Sequence, residues 1–288
     1  MTRARASAGA LLAGLCLVTS MLSVGTATAA GLLPPHNPAG NISPAPNFLS
    51  SGSCHSVVGG LSCVNPCVGG ATKLGVARLA FPVYDNSARC TLYLLRSVDA
   101  ARAIEGLGPL VLPTNWYGLT QPEQLFVIAD IERVDRGLAP YLGLNHALSA
   151  SAQRAALART DPVVAPGFRI AHRNGAVQYG STMASGFSAV ESDYVWMYDD
   201  GWGGASTSNL ACTSPTAPGC WGHRDQLLGS DGHYNPGVGL GCAICEMGAG
   251  FAVVGSSGAF TDLVERPAGS PPPMYFTWAG NVEPFLPG

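Results

Sequence analysis

The order in which the hydrophobic period changes along the chain limits its fold more than any other feature. Apolar residues recur at helical spacing over residues 92 to 104, at Leu125, Ile128, Ala129 and 131 to 134, over 145 to 159, and after Ser188 at Tyr194, Val195 and Met197. From Gly237 onward the pattern breaks into short apolar or alternating runs, at 237 to 244, 250 to 255 and 274 to 278, separated by Gly and Pro. Helices first and strands last is the order of an α+β domain. The expected architecture is an α-β-α sandwich whose mainly antiparallel sheet comes from the second half, preceded by a disulfide-stapled N-terminal segment. With 47% hydrophobic residues the chain has ample material for one core.

Local signals sharpen the helices. Thr120-Gln121-Pro122-Glu123 reads as an N-cap with Pro in the first turn and Glu at the third position. Two helices stop alike, with Arg102-x-x-x-Gly106-Leu107-x-Pro109 and Arg133-x-x-x-Gly137-Leu138-x-Pro140 set 31 residues apart. Convergent use of a Gly stop followed by Pro and an internal duplication both account for this. Residues 145 to 159 carry a face of small residues suited to close packing.

The first 30 residues read as a secretory signal: Arg3 and Arg5, an apolar run from Ala10 to Val18, then Ala27-Thr28-Ala29 for cleavage. The rival, a membrane anchor, suffers from Thr19, Ser20 and Ser23, which interrupt the apolar run. No later segment approaches a membrane span, so the expectation is a secreted protein with no transmembrane segment after cleavage. Removing the two arginines takes the formal charge from −3 to −5, which argues against a nucleic-acid partner. Residues 31–53, rich in Pro, Asn, Gly and Ser, read as a flexible leader, 54–118 as a cysteine-rich segment with one helix, and 119–288 as the main domain.

Beyond Cys16, eight cysteines remain: Cys54, Cys63, Cys67, Cys90, Cys212, Cys220, Cys242 and Cys245. An even number in an exported chain implies disulfides, and the simplest division pairs four before residue 91 and four after 211, with Cys212 to Cys220 closing a small loop. A redox or zinc reading of Cys242-Ala243-Ile244-Cys245 competes, although this pair follows a Gly-rich strand pattern rather than opening a helix.

The chemistry-bearing motif is Trp221-Gly222-His223-Arg224-Asp225-Gln226-Leu227-Leu228, followed by Val238-Gly239-Leu240-Gly241, which puts one histidine at the start of an apolar helix. Together with Glu132-Arg133-x-x-Arg136-Gly137-Leu138, Leu148-x-x-x-Ala152, Tyr179-Gly180-Ser181-Thr182 and Trp196-Met197, in that order, the chain resembles the CAP superfamily, the cysteine-rich secretory, antigen 5 and pathogenesis-related proteins. The resemblance is to its bacterial secreted, SCP-like branch and covers roughly residues 122 to 278.

The resemblance implies a cleft with two histidines and one or two glutamates that can hold a divalent metal, zinc or calcium. His223 carries over directly, and His172 stands as the first histidine. Ser181 occupies the position where the family's turn supplies glutamate, and its hydroxyl cannot act as a carboxylate base. The acid position is then empty unless Glu191 or Asp193 swings in, and the expected metal ligands are His172 and His223. The implied function is an extracellular binding module for a lipid, glycan or cell-envelope component. The alternative is a glycan-directed hydrolase using Glu191 with Asp193, Asp199 or Asp200, and Trp202 as a sugar platform. Neither Gly-x-Ser-x-Gly nor His-Glu-x-x-His occurs, which removes the common serine-hydrolase and zincin motifs.

Overall fold

The computed structural model describes residues 54–57, 60–63, 67, 84–164, 168–169, 172–173, 176–177, 179–186, 188–203, 209, 211–217, 219–228, 244–255, 257–265 and 267–288. The expected signal, the leader and the strand expected at 237 to 244, up to residue 243, lie outside these residues.

Helix α1 (Ala88–Ile104) begins at Ser87, whose side chain accepts the Cys90 N–H at 3.3 Å, and stops at Gly106, where φ is +77°. Helix α2 (Gln121–Val134) begins with the expected capping box: the Thr120 N–H donates to Glu123 Oε2 at 2.7 Å, and the helix stops before Gly137 at φ +75°. A residue with a Cβ resists this left-handed conformation, so the two glycines set where the helices end. Every residue from Leu125 to Arg133 is buried, as expected of a helix enclosed on all sides.

Strand β1 (Cys54–Val57) pairs with β2 (Gly60–Cys63) in a small antiparallel hairpin. The main sheet has five strands: β3 (Leu144–Asn145), β6 (Tyr179–Gly186), β7 (Glu246–Val254), β8 (Ser257–Glu265) and β9 (Met274–Phe276), in the order β6-β8-β7-β3-β9. All neighbours run antiparallel except β3 and β7. A second hairpin joins β4 (His172–Arg173) to β5 (Ala176–Val177). The class is α+β, as expected, but β3 precedes α3 (His146–Ala158), and β6 precedes α4 (Ala189–Tyr198) and α5 (Gly222–Leu228). Strands therefore enter the sheet earlier than the sequence order suggests.

Side chains alternate between the faces of a sheet, so two contacts identify each face. Thr261 Oγ1 donates to Ala152 O at 2.7 Å, which turns odd-numbered β8 residues toward α3. Gln226 Nε2 donates to Asp262 Oδ1, which turns even-numbered ones toward α5. Helix α3 lies close to its face because β7 offers glycine beneath it: a Cβ on Gly248 would run into the Leu148 backbone, and one on Gly250 into that of Ala152. The small-residue face of α3 makes the same approach from the other side.

One apolar cluster joins Leu94 and Val98 of α1, Phe126 of α2, Trp196 of α4, Leu227 of α5, and Met247, Phe260 and Val264 of the sheet. Helix α1, within the cysteine-rich segment of residues 54–118, shares this core. Disulfides join Cys67 to Cys90 and Cys212 to Cys220, and the buried Cys245 is also disulfide-bonded. No helix among the described residues is long and apolar enough to cross a membrane.

Candidate functional site

Asp200, two residues beyond α4, organises the start of α5. Its Oδ2 accepts the His223 backbone N–H at 2.9 Å and, more weakly, that of Arg224 at 3.4 Å, satisfying amides that a helix start leaves open. Its Oδ1 accepts His223 Nδ1–H at 2.6 Å and Asn209 Nδ2–H at 2.6 Å. Asn209 also donates to Gly219 O at 2.7 Å, tying the disulfide-closed loop to the same carboxylate. Gly201 lies flat against Trp221, where any Cβ would collide with the indole.

These contacts define the state of His223. With Nδ1–H committed to Asp200, its Nε2 is the ring atom left for chemistry, and the side chain is 26% exposed. Burial pushes the imidazole toward neutrality, but the bond to Asp200 and the charges of Asp200, Asp161 and Asp262 together outweigh it and raise its pKa above the ordinary value. Burial also raises Asp200, opposed by the donors it accepts. Those donors converge on a carboxylate, so the proton shared by the pair belongs to the imidazole.

Beside His223 lies Asp262 of β8, fully buried and pushed up by that burial to about 8, with the nearby imidazole pulling in the opposite direction. Gln226 Nε2–H donates to its Oδ1, while Oδ2 has no hydrogen-bond partner. Directly across the ladder is Thr182 of β6, also fully buried, whose Oγ1 has none either. Asp161 acts electrostatically on both His223 and Asp262.

Ser181 and His223, both proposed from sequence, lie on opposite faces of the sheet. Ser181 is in strand β6 rather than in a turn, opposite Leu263, and so on the α3 face. The structure therefore does not bring Ser181 to His223; Thr182, one residue on, faces α5 with Asp262. Glu191 is fully buried in the first turn of α4. His172 forms part of β4, and its side chain lies outside the described residues, as does any comparison of its imidazole with that of His223. Asp193 is fully buried with neither carboxylate oxygen hydrogen-bonded, and burial first, then Glu132, raises it well above the usual carboxylate range. Trp196 and Trp221 are buried, and Trp202 is 42% exposed.

Asp262, Gln226 and Thr182 were not singled out from sequence. The available signal was an acid in the middle of Phe260-Thr261-Asp262-Leu263-Val264, where an alternating strand normally buries an apolar side chain.

A second charged cluster lies inside the helical layer. Glu132 accepts from Arg102 Nη1 at 2.5 Å, from Arg136, and from the Tyr198 hydroxyl at 2.7 Å. Glu105 receives Arg136 at 2.5 Å and Arg224. Glu132 is held below the usual carboxylate range by its arginines, against strong desolvation. Arg102, Glu132, Arg136 and Arg224 are buried, the Glu105 side chain is nearly so, and Asp135 reaches solvent, so this cluster chiefly braces α1, α2, α4 and α5.

Among the described residues, no three His, Cys, Asp or Glu side chains gather closely enough to hold a metal ion. His223 Nε2 is a competent ligand atom, but Asp262 holds its proton near neutrality and binds metal poorly in that form. The described residues thus do not form a zinc or calcium shell. No family model matches the chain, and no curated protein and no solved structure matches it either.

Proposed function

We propose that this is a secreted, CAP-like binding module of the cell envelope, with an α-β-α sandwich as its frame and a cleft centred on His223. One observation carries the reading: a partly exposed imidazole is fixed by buried Asp200, and Asp262, whose charge it influences, and Thr182 across the ladder each have a buried polar atom with no partner. Buried polar groups are normally hydrogen-bonded, so unpartnered ones near a partly exposed histidine support reading this region as a polar site rather than as core packing. The resemblance from Glu132 to Val238 and the disulfides agree with this reading.

The binding reading is preferred to the glycan-directed hydrolase because Glu191 and Asp193 are buried in α4 and Asp200 is committed to His223. The test is co-sedimentation of the mature protein with purified peptidoglycan sacculi. Binding is expected, and His223→Ala is expected to weaken it about tenfold or more, the worth of one lost charged hydrogen bond. Steady release of soluble sugar fragments by the wild type would overturn the binding-module reading, as would unchanged binding by His223→Ala.

A further inference from the structure

We propose that the disulfide between Cys212 and Cys220 is a redox switch for the His223 site: its reduction by a dithiol releases Asn209 from Asp200 and so frees the His223 ring. This rests on the reading of the site as a binding cleft for its effect on the ligand, and on geometry alone for the release of the ring.

A closed circuit of contacts links the two sulfurs to the imidazole. Asn209 stands at the base of the loop, where its backbone O accepts the Cys212 N–H at 3.3 Å and its Oδ1 accepts the Ala211 N–H at 3.0 Å. Its Nδ2 donates to Asp200 Oδ1 at 2.6 Å, Asp200 O at 2.9 Å and Gly219 O at 2.7 Å. On the other side of the loop, Cys220 lies between Gly219 and Trp221, and the Trp221 N–H donates to Asp200 O at 3.1 Å. The disulfide clamps these two sides together. Both sides end on Asp200, which holds His223 Nδ1 at 2.6 Å.

The loop has little besides the clamp to keep it closed. No residue from 211 to 217 is fully buried, so apolar burial contributes little to its position. Trp221 sits at φ +65°, a left-handed backbone that a residue with a Cβ adopts only where its surroundings hold it. Opening the disulfide returns freedom to the loop and lets Trp221 relax toward ordinary backbone. Asp200 then loses the Asn209 and Trp221 donors, and water reaches its carboxylate and competes for the His223 Nδ1–H.

The bond is also the one a reductant meets first. Cys212 and Cys220 are half-buried beside exposed Thr213, Pro215 and Thr216, whereas the disulfide-bonded Cys67, Cys90 and Cys245 are fully buried. One thiolate of the dithiol attacks a loop sulfur, the S–S bond breaks, and a mixed disulfide forms while the other cysteine leaves as a thiolate. The second thiol of the dithiol then displaces the remaining cysteine. Two electrons and two protons pass to the loop, and the dithiol becomes a disulfide.

The experiment treats the mature protein with dithiothreitol and maps alkylated cysteines by peptide mass, with the His223 ring followed by ¹⁵N NMR at a pH where it is neutral. Cys212 and Cys220 are expected to be alkylated first. In the oxidised protein the ring proton is expected on Nδ1; after reduction it is expected to divide between the two nitrogens, and reoxidation is expected to restore it. Binding to sacculi is expected to weaken about tenfold or more on reduction, as for His223→Ala. Asn209→Ala is expected to move the ring proton in the same way with the disulfide intact, and reduction is expected to add nothing further. An unchanged ring proton after reduction of this bond, or in oxidised Asn209→Ala, overturns the switch. So does loss of the whole far-ultraviolet circular dichroism on reduction, which makes the bond a support of the entire fold. If the ring proton moves as expected and neither form sediments with sacculi, the switch stands and the binding-module reading falls; if sacculi bind equally before and after reduction and the ring is unchanged, the reverse holds.

Discussion

The C-terminal stops of α1 and α2 are made from the same parts in different surroundings. In the first, Asp99 Oδ1 accepts the Leu110 N–H at 2.8 Å, Arg102 Nε–H donates to Gly108 O at 2.8 Å, and the Leu107 N–H returns to Arg102 O at 2.9 Å. In the second, Asp130 Oδ1 accepts from Tyr141 N–H at 2.8 Å, Arg133 Nε–H donates to Ala139 O at 2.9 Å, and Leu138 N–H returns to Arg133 O at 2.9 Å. Each bond recurs after 31 residues, so the motif is a local device that does not need a particular environment. Beyond that point the copies diverge. Arg102 turns its Nη groups onto Glu132 and Asp135, whereas Arg133 reaches Leu227 O at 3.1 Å and lies 4.1 Å from the centre of the Tyr141 ring. Asp99 is half-buried, while Asp130 is fully buried and pushed up to about 8. Local sequence builds the stop, and the tertiary setting decides which charges it carries.

The largest effect expected from this comparison is at Glu132, which the first copy's Arg102 engages through its Nη1. Glu132→Ala leaves Arg102, Arg136 and the Tyr198 hydroxyl without their shared acceptor. Removing one partner from a buried ion cluster costs about 3–5 kcal/mol, read as a fall in the urea midpoint. A loss below about 1 kcal/mol would mean that water reaches the cluster and that the two copies are less different than described.

Next in size is the contrast between the two arginines. Arg102→Met strips one cation from Glu132, which retains Arg136 and Tyr198, while Arg133→Met removes bonds to two carbonyls and the stacking on Tyr141. The expected losses are about 2–4 and about 1–3 kcal/mol, with Arg102 the larger because it leaves an ionised group short of charge compensation. Equal losses in urea unfolding would show that the shared carbonyl bond dominates and that the surroundings matter little.

The third test uses pH. Asp130 is protonated in the folded protein up to about pH 8 but loses its proton near pH 4 once unfolded. The folded state thus binds more protons between these values, and stability contributed by this group falls as pH rises from about 4 to 8. Asp130→Asn keeps an oxygen for the Tyr141 N–H and cannot ionise. Its stability is expected to be close to wild type at pH 5 and to exceed it by about 1 kcal/mol or more at pH 8.5. A variant less stable than wild type at both pH values would refute the neutral Asp130.

The parts legible in sequence were those with local causes. The capping box at Thr120, the stops at Gly106 and Gly137, and the small face of α3 all operate within a few residues. Strand β6 was not legible, because Tyr179-Gly180-Ser181-Thr182-Met183-Ala184 is poor in β-branched residues and pairs through its partner rather than its own propensity. That gap had a consequence at the site. Read as a turn, the segment offers Ser181 to the cleft; as a strand, its alternation sends Ser181 to the α3 face and Thr182 to Asp262. His223 was legible as a site residue and Asp200 as an acid of interest. Their pairing across 23 positions depends on how α4 ends and α5 begins, which no local pattern records.

The smallest effect expected is at Asp99, and it tests the comparison from its weaker side. Asp99→Ala removes the acceptor of the Leu110 N–H, and Leu110 is 4% exposed, so water replaces that acceptor poorly. One lost hydrogen bond of this kind costs about 0.5–1.5 kcal/mol. Asp99→Asn keeps an oxygen in place and should cost less than about 0.5 kcal/mol, because the stop needs an acceptor there and not a charge. Urea unfolding of both variants beside Asp130→Ala separates the shared part from the setting. Asp130→Ala should lose the same backbone bond and also leave a cavity in a fully buried position, so its loss must be the larger of the two. If Asp99→Ala costs as much, the two stops are buried alike, and the divergence in their charges needs a different cause.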